Sequence, residues 1–481
     1  MRVAAPAFPA TPLRPLTEPH VRPSNHHPMP NHRKSEKRCS RRKFVKWGLA
    51  GLAGAVVAER GYDYLSESKA KAKIVIVGGG AAGITLAAYL ADWLRYDDIT
   101  IIEPNEKHHY QPGYTLIAGG VFTPEEIVKP TTALIPKQVK WLQSSVAELN
   151  PDNNYVVTAN NEKIAYDFLV LVPGCQMDCN LVQGISRATL GEGNAHCIYD
   201  FNGAKACWEA LKKLPDLKEG RLLFTNTYTK LKCGGAPKKI CLMAEDYLRD
   251  RNLRDNFKFD YFANQNELMK PKIFGDRLTA IFKERKIAIN YRHRLAAVDT
   301  SAKKAVFDVL PEPSPLPVAP EAKVGKVTVD YDFLHFVPPM SAPDFVKNSD
   351  LSDKSAPGGW IKVDKETLVH ATHKNIISFG DAAGLPTSKT GAAIRMQAPI
   401  AAANLIALME QREPTGKYNG YSACPIITEY GKILMCEFGY DEKLMPTIPW
   451  LDPGIERGMW WTLKVHGLKP MYYQGMLKGL L

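Results

Sequence analysis

Apolar runs without polar alternation recur along the chain, and each ends in a glycine or proline turn. Lys73-Ile74-Val75-Ile76-Val77 is the first, the pattern of a strand buried on both faces of a parallel sheet. The turn Gly78-Gly79-Gly80-Ala81-Ala82-Gly83 follows, and the spacing from Ile84 to Tyr96 predicts a helix. Ile99 to Ile102 reads as a second strand, ending at Glu103-Pro104. Residues 166–172 repeat the buried-strand pattern and close on Pro173-Gly174. Helices are expected over 196–215, 237–251 and 394–411, and strands over 221–225 and 375–379. A strand-rich stretch with a Pro-rich interruption at 311–320 lies between them. Residues 457–481 mix Trp460, Trp461, Tyr472, Tyr473, Met and Leu positions with Arg457, Lys464, Lys469 and Lys478. That mixture suits a short amphipathic helical region lying at a lipid–water interface.

A chain of 481 residues is long enough for two substantial cores. Its net charge of +12 does not belong to the folded body. Residues 1–58 hold eleven Lys/Arg and two acids; without them the excess is about three. A basic stripe for nucleic acid is therefore not expected, and no nucleic-acid partner is assigned. The leader itself has a specific form. Ser40-Arg41-Arg42-Lys43-Phe44-Val45-Lys46 precedes a short apolar stretch, Trp47 to Val57. This looks like a bacterial twin-arginine export signal, used by proteins that fold around a cofactor before export. The expected location is the periplasmic side of a bacterial inner membrane, as a peripheral protein. The nine cysteines show no metal-ligand spacing, so no metal site is assigned.

Gly78-x-Gly80-x-x-Gly83 between a strand and a helix, with Glu103 at the end of the next strand, is the arrangement of a dinucleotide site. The first glycine allows the tight turn, the second lets the backbone approach a pyrophosphate, and the third lets helix and strand pack closely. Free N–H groups at the helix start favour the phosphates, and Glu103 is placed to accept ribose hydroxyls. The strand running into Gly380-Asp381 selects FAD over NAD, since an aspartate there can hold a ribityl hydroxyl. Lys389-Thr390 just downstream could bring an ammonium to the flavin N1–C2=O edge. The predicted class is α/β, with two nested Rossmann-like FAD/NAD(P)-binding-type domains and a C-terminal amphipathic membrane-docking region. The FAD domain is assigned to 72–195 and 330–410, and the second nucleotide-binding-like domain to 196–329. The C-terminal region is 411–481.

After the strand at 221–225 a pyridine-nucleotide enzyme would carry a second glycine fingerprint. Here Asn226 to Lys232 leads instead to Cys233-Gly234-Gly235-Ala236-Pro237. A second notable thiol, Cys424, lies in Tyr421-Ser422-Ala423-Cys424-Pro425.

With Gly78–Gly83, Lys232-Cys233-Gly234-Gly235-Ala236-Pro237, Gly380-Asp381, Leu385-Pro386-Thr387-Ser388-Lys389-Thr390 and Gly420 to Pro425, the chain resembles the sulfide:quinone oxidoreductases of the two-cysteine, eukaryote-like type. The resemblance spans roughly 72–445. It implies noncovalent FAD, sulfide as the electron donor and a membrane quinone as the acceptor. It also implies that Cys233 and Cys424 form the redox pair, with Cys424 as the flavin-side thiolate and Cys233 as the persulfide carrier. Hydrosulfide, a soft nucleophile, attacks the bridged pair. Phe438, Tyr440 and the tail aromatics are candidates to stack on the quinone. Cys241 and Cys436 read as packing residues, and a homo-oligomer is compatible with the chain. Three rivals stay open: the flavoprotein subunit of a flavocytochrome c sulfide dehydrogenase, a type II NADH dehydrogenase, and a redox-inert flavin-binding scaffold.

Overall fold

The computed structural model describes residues 71–94, 98–312 and 323–481. The leader at 1–58 and most of the Pro-rich stretch lie outside the described residues. Two parallel five-stranded sheets organise what is described. The first runs Ile376–Ile377, Phe168–Leu171, Ile74–Val77, Ile99–Ile102, Lys140–Leu142 from edge to edge. Every pair in it is parallel. Its central strand Ile74–Val77 is buried at all four positions, as an unalternating apolar run requires. The second sheet runs Ala195–His196, Phe333–His335, Gly220–Thr225, Phe257–Ala263, Ile287–Tyr291, again parallel throughout. Antiparallel three-stranded sheets, Val146–Asn150 to Lys163–Ala165 and His293–Asp299 to Gly325–Asp330, accompany the two layers. This is the nested α/β arrangement expected from the strand and helix order.

The sheet pairing moves both ends of the inserted layer. Ala195–His196 and Phe333–His335 pair with each other and belong to the second sheet, so that layer reaches beyond the 196–329 segment at each end. The helix expected over 196–215 is Phe201–Lys213. It starts late because Asp200 caps it, its carboxylate accepting from the Asn202 and Gly203 N–H groups at 2.9 and 3.1 Å. Of the strand expected over 375–379, only Ile376–Ile377 pairs. The long Ala-rich helix is Gly391–Met409, started by Thr390, whose Oγ1 accepts from the Ala393 N–H at 3.1 Å. Its small side chains let it pack closely against the Ala81–Trp93 helix. Among the described residues it is the one helix long and apolar enough to cross a membrane. Ala398, Ala401, Leu405 and Ile406 on it are fully buried, so it is a core helix.

The C-terminal tail packs back on the protein at several of its aromatics. Trp460, Tyr472, Tyr473, Met476 and Leu477 are buried. His108 Nε2 meets the Tyr472 hydroxyl at 2.6 Å, and Tyr473 donates to the Ile127 carbonyl at 2.8 Å. Burial holds His108 well below its usual pKa, at about 4, so the ring is neutral in this contact. The aromatics that suggested an interface are spent on docking the tail to the first domain. Apolar exposure appears at the start of the tail and just before it, at Trp450 (83%), Met459 (49%) and Ile455 (46%).

Candidate active site

The two segments expected to hold FAD meet at the C-terminal edge of the first sheet. Gly78 has φ +107°, and a Cβ there would lie 2.4 Å from the Val172 carbonyl oxygen. A Cβ on Gly83 would fall 1.9 Å from the Gly78 oxygen, so only glycine lets the helix start this close to the strand. In front of Gly80 no atom lies within 4 Å of a built Cβ. Gly80 caps the Ala81–Trp93 helix without a side-chain hydrogen bond, which leaves the first N–H groups for phosphate oxygens. Glu103 accepts from the Gly79 N–H at 2.7 Å and the Asn105 N–H at 2.8 Å, which orients its carboxylate at the strand end. Gly380 has φ +70° and donates to Gln397 Oε1 at 2.9 Å, fixing the turn that carries Asp381. Burial raises the Asp381 pKa against the opposing charge of Lys389. The open approach to Gly80, the unused helix N-terminus and the half-buried Asp381 carboxylate fit an FAD.

Lys389 is buried on the flavin segment. Its Nζ donates to the carbonyl oxygens of Asp381 (2.6 Å) and Ala383 (2.8 Å) and lies 3.9 Å from the Trp360 ring centroid. Burial lowers its pKa to about 8. The lysine braces the Gly380–Ala383 turn. Thr390 Oγ1 meets Ser422 Oγ at 2.9 Å, which ties the flavin segment to the Ser422–Glu429 strand.

That strand carries Cys424, and the fold brings Cys233 to it across 191 positions of sequence. The loop after Gly220–Thr225 does not form a phosphate cradle. It crosses to the first domain, where Lys232 bridges to Lys389 and the Cys233 N–H donates to the Lys389 carbonyl at 2.8 Å. Met340 N–H donates to Thr229 Oγ1 at 2.8 Å along the way. Cys233 itself holds φ +50°, a left-handed conformation that costs a non-glycine residue about 1–2 kcal/mol. The Tyr199 hydroxyl donates to its carbonyl at 3.0 Å and helps hold the turn. A Cβ at Gly235 would stand 2.5 Å from Cys424 Sγ and 2.2 Å from Ile426 Cδ1. The second glycine of the motif is thus the gap that admits the other sulfur.

Positive charge crowds this pair. Lys238 and Lys239 open the Ala236–Arg249 helix and are buried, and Lys464 arrives from the tail at 3% exposure. Cations at a helix N-terminus oppose the helix dipole, so two buried there need an anion. Lys239 Nζ lies 3.2 Å from Cys233 Sγ. A hydrogen bond from the Cys424 thiol, then the charges of Lys239 and Lys464, hold the Cys233 thiol well below its usual pKa. Burial lowers Lys238 to about 8 and Lys464 to about 7, while the sulfurs push Lys239 up against its burial. Asp381 feels the charge of Cys233, which sits on the Lys389 side of the pair. Cys424 faces Cys233, Lys239 and Cys436. Phe438 lies two positions from Cys436 on the same strand face, opposite Ser422. Tyr440 packs on Tyr418 and donates to the Lys365 carbonyl.

The comparisons with known proteins fit this geometry. Residues 72–207 match the family described as pyridine nucleotide-disulphide oxidoreductase. The chain is 35% identical over 411 residues to the mitochondrial sulfide:quinone oxidoreductase of Mus musculus, covering 85% of this chain and 86% of that protein. It is 37% identical over 409 residues to the mitochondrial sulfide:quinone oxidoreductase of Dictyostelium discoideum, with the same coverage. The chain belongs to the sulfide:quinone oxidoreductase family. A solved sulfide:quinone oxidoreductase from Aquifex aeolicus shares the fold, with a TM-score of 0.67 and 19% identity over 84% of this chain and 91% of that one. Members of this family are FAD-dependent oxidoreductases. Within a sulfide:quinone oxidoreductase, residues that the sequence did not single out complete the site. Lys464 reads in sequence as one more basic residue of an amphipathic tail, and nothing in its spacing points to thiols 231 and 40 positions away. Lys238 and Lys239 directly follow the Lys232–Pro237 motif and become informative only once their burial is known.

Proposed function

We propose that the protein oxidises sulfide at the Cys233–Cys424 pair and passes two electrons through FAD to a membrane quinone. The observation that carries this reading is the thiol pair, Cys424 buried and Cys233 half-buried, enclosed by Lys238, Lys239 and Lys464 beside Asp381 and Lys389. Bound FAD supplies a two-electron acceptor that quinone can reoxidise. Gly78, Gly80, Gly83, Glu103, Gly380 and Asp381 hold it, and Lys389 and Thr390 brace the turn and strand around it. The three lysines draw hydrosulfide in. It attacks the Cys424 sulfur of the bridged pair, leaving Cys424 with the added sulfur as a persulfide and expelling Cys233 as thiolate. A lower-pKa thiol leaves faster, and Cys233 is the one stabilised as thiolate. This reverses the roles implied by the family resemblance. Cys233 becomes the flavin-side thiolate, supported by its contacts with Lys389 and its charge coupling to Asp381.

Phe438 is the better quinone candidate, because it shares the redox face while Tyr440 is engaged by Lys365 and Tyr418. We place the membrane contact on the exposed apolar residues Trp450, Ile455 and Met459, with Ile273 packed against Gly454 beside them. Export by the twin-arginine leader is part of the same proposal, although the relatives above are named as mitochondrial.

The test is anaerobic sulfide titration with a soluble quinone analogue, read by flavin absorbance. Cys233→Ser and Cys424→Ser should each keep FAD yet lose sulfide-driven reduction by at least about a thousandfold. Normal turnover of either variant sinks the mechanism. Oxidation of NADH at a comparable rate would favour the NADH dehydrogenase reading.

A further inference from the structure

One thiol of the cluster has no part in that reaction. Cys436 lies on Lys432–Phe438, and the hairpin register pairs it directly with Cys424. Directly opposed residues point to the same face of the ladder, with Cα atoms about 4.5–5.5 Å apart. That separation falls inside the window of about 4.4–6.8 Å that a disulfide spans, and the Cβ atoms need to close by only about 1 Å. Cys436 is fully buried with its thiol 3.7 Å from the Leu434 carbonyl; burial pushes its pKa up, and the charges of Lys239 and Lys238 pull against that rise. Cys424 is therefore flanked by a thiol on each side, Cys233 through the gap at Gly235 and Cys436 across the hairpin.

We propose that Cys436 is a third redox thiol that takes over the bridge from Cys233. The proposal rests on the Cys233–Cys424 reading. The Cys436 thiolate attacks the Cys424 sulfur of the Cys233–Cys424 disulfide. The bond between Cys424 and Cys233 breaks as the bond between Cys424 and Cys436 forms, and Cys233 leaves as thiolate. One disulfide is exchanged for another, so no outside oxidant is needed, and the proton lost by Cys436 is balanced by one that Cys233 can take up. The resulting Cys424–Cys436 disulfide keeps the oxidation level of the site while disconnecting it from Cys233. Hydrosulfide opens it by attacking Cys424, which leaves Cys424 as a persulfide and expels Cys436 as thiolate. The arrangement is a resting form that the substrate itself unlocks.

Tryptic cleavage separates the three thiols into residues 233–238, 418–432 and 433–443. The holoenzyme is reduced, reoxidised with the quinone analogue, acid-quenched, alkylated and digested, and the linked peptides are identified by mass spectrometry. Two linked species are expected, 233–238 with 418–432 and 418–432 with 433–443. Cys436→Ala should lose the second and keep the first. Cys233→Ser oxidised with diamide, a small diazene thiol oxidant, should give only the second. Absence of the 418–432 to 433–443 link from both the wild type and Cys233→Ser overturns the role of Cys436. Loss of the 233–238 to 418–432 link from wild type and from Cys436→Ala strikes instead at the Cys233–Cys424 pair.

Discussion

At the scale of single residues, the site is governed by where charge is buried. Lys464 is a tail lysine held near neutrality, at about 7, by its burial and by the neighbouring ammonium of Lys239. Below that pH it is a third cation beside the sulfurs, and above it the charge is lost. Its charge lowers the Cys233 thiol, so removing it must raise that thiol toward the ordinary range near 8.5. Lys464→Met is expected to bind FAD normally and to shift the pH midpoint of Cys233 alkylation upward. Sulfide kcat/KM should fall about 10–100-fold, most of it below neutral pH where wild-type Lys464 is charged. An unmoved alkylation midpoint would show that Lys464 only fills space. Gly235 makes the complementary point, because a methyl group at that position would occupy the place of Cys424 Sγ.

Among the elements, the tail and the loop before it exchange the roles that composition suggests. Aromatics and lysines at 457–481 have the makeup of an interfacial helix, yet the same amphipathic makeup serves docking against protein. His108, Tyr110 and Ile127 supply that protein surface and bury Tyr472 and Tyr473. The tail thereby delivers Lys464 to the thiols, a task its sequence does not announce. Trp450, with Met459 at the start of the Gly458–Thr462 helix, is left exposed. Trp450→Ser and Met459→Ser are each expected to weaken co-sedimentation with liposomes roughly tenfold, in line with about 1.5–3 kcal/mol for a large apolar side chain withdrawn from water. Soluble-quinone activity should be retained. Unchanged liposome binding in the double variant would move the membrane contact elsewhere.

For the molecule as a whole, the decisive property is that its site is assembled from both ends of the described chain. The glycine turn at 78–83 and Asp381 stand at strand ends of one sheet, which Ile376–Ile377 completes and Ile74–Val77 begins. The FAD cradle therefore needs both the 78–83 turn and the 380–390 segment in place. Replacing Arg41 and Arg42 by lysine should hold FAD-loaded protein in the cytoplasm of a bacterial host, as read by cell fractionation. Periplasmic recovery of the double variant at the wild-type level would rule the leader out as a twin-arginine signal.

Local rules account for the parts legible in the sequence. An unalternating run such as Ile74–Val77 can only be buried, a Gly-x-Gly-x-x-Gly turn has few conformations, and a thiol in place of a second glycine fingerprint excludes one chemistry while suggesting another. Fold class, cofactor and the pair Cys233–Cys424 follow from such short stretches. The ends of the inserted layer did not, because Phe333–His335 is placed by its ladder with Gly220–Thr225, a pairing set by sheet order. The inward turn of Lys389, the arrival of Lys464 and the facing of Cys436 on Cys424 likewise depend on contacts between segments far apart, or on a hairpin register. The sequence by itself determined an FAD-binding α/β fold and singled out two thiols within it. Only the tertiary structure decided which thiol lies nearer the flavin cradle, which cations surround the pair and which third sulfur stands beside it, because burial and proximity are properties of the packed chain.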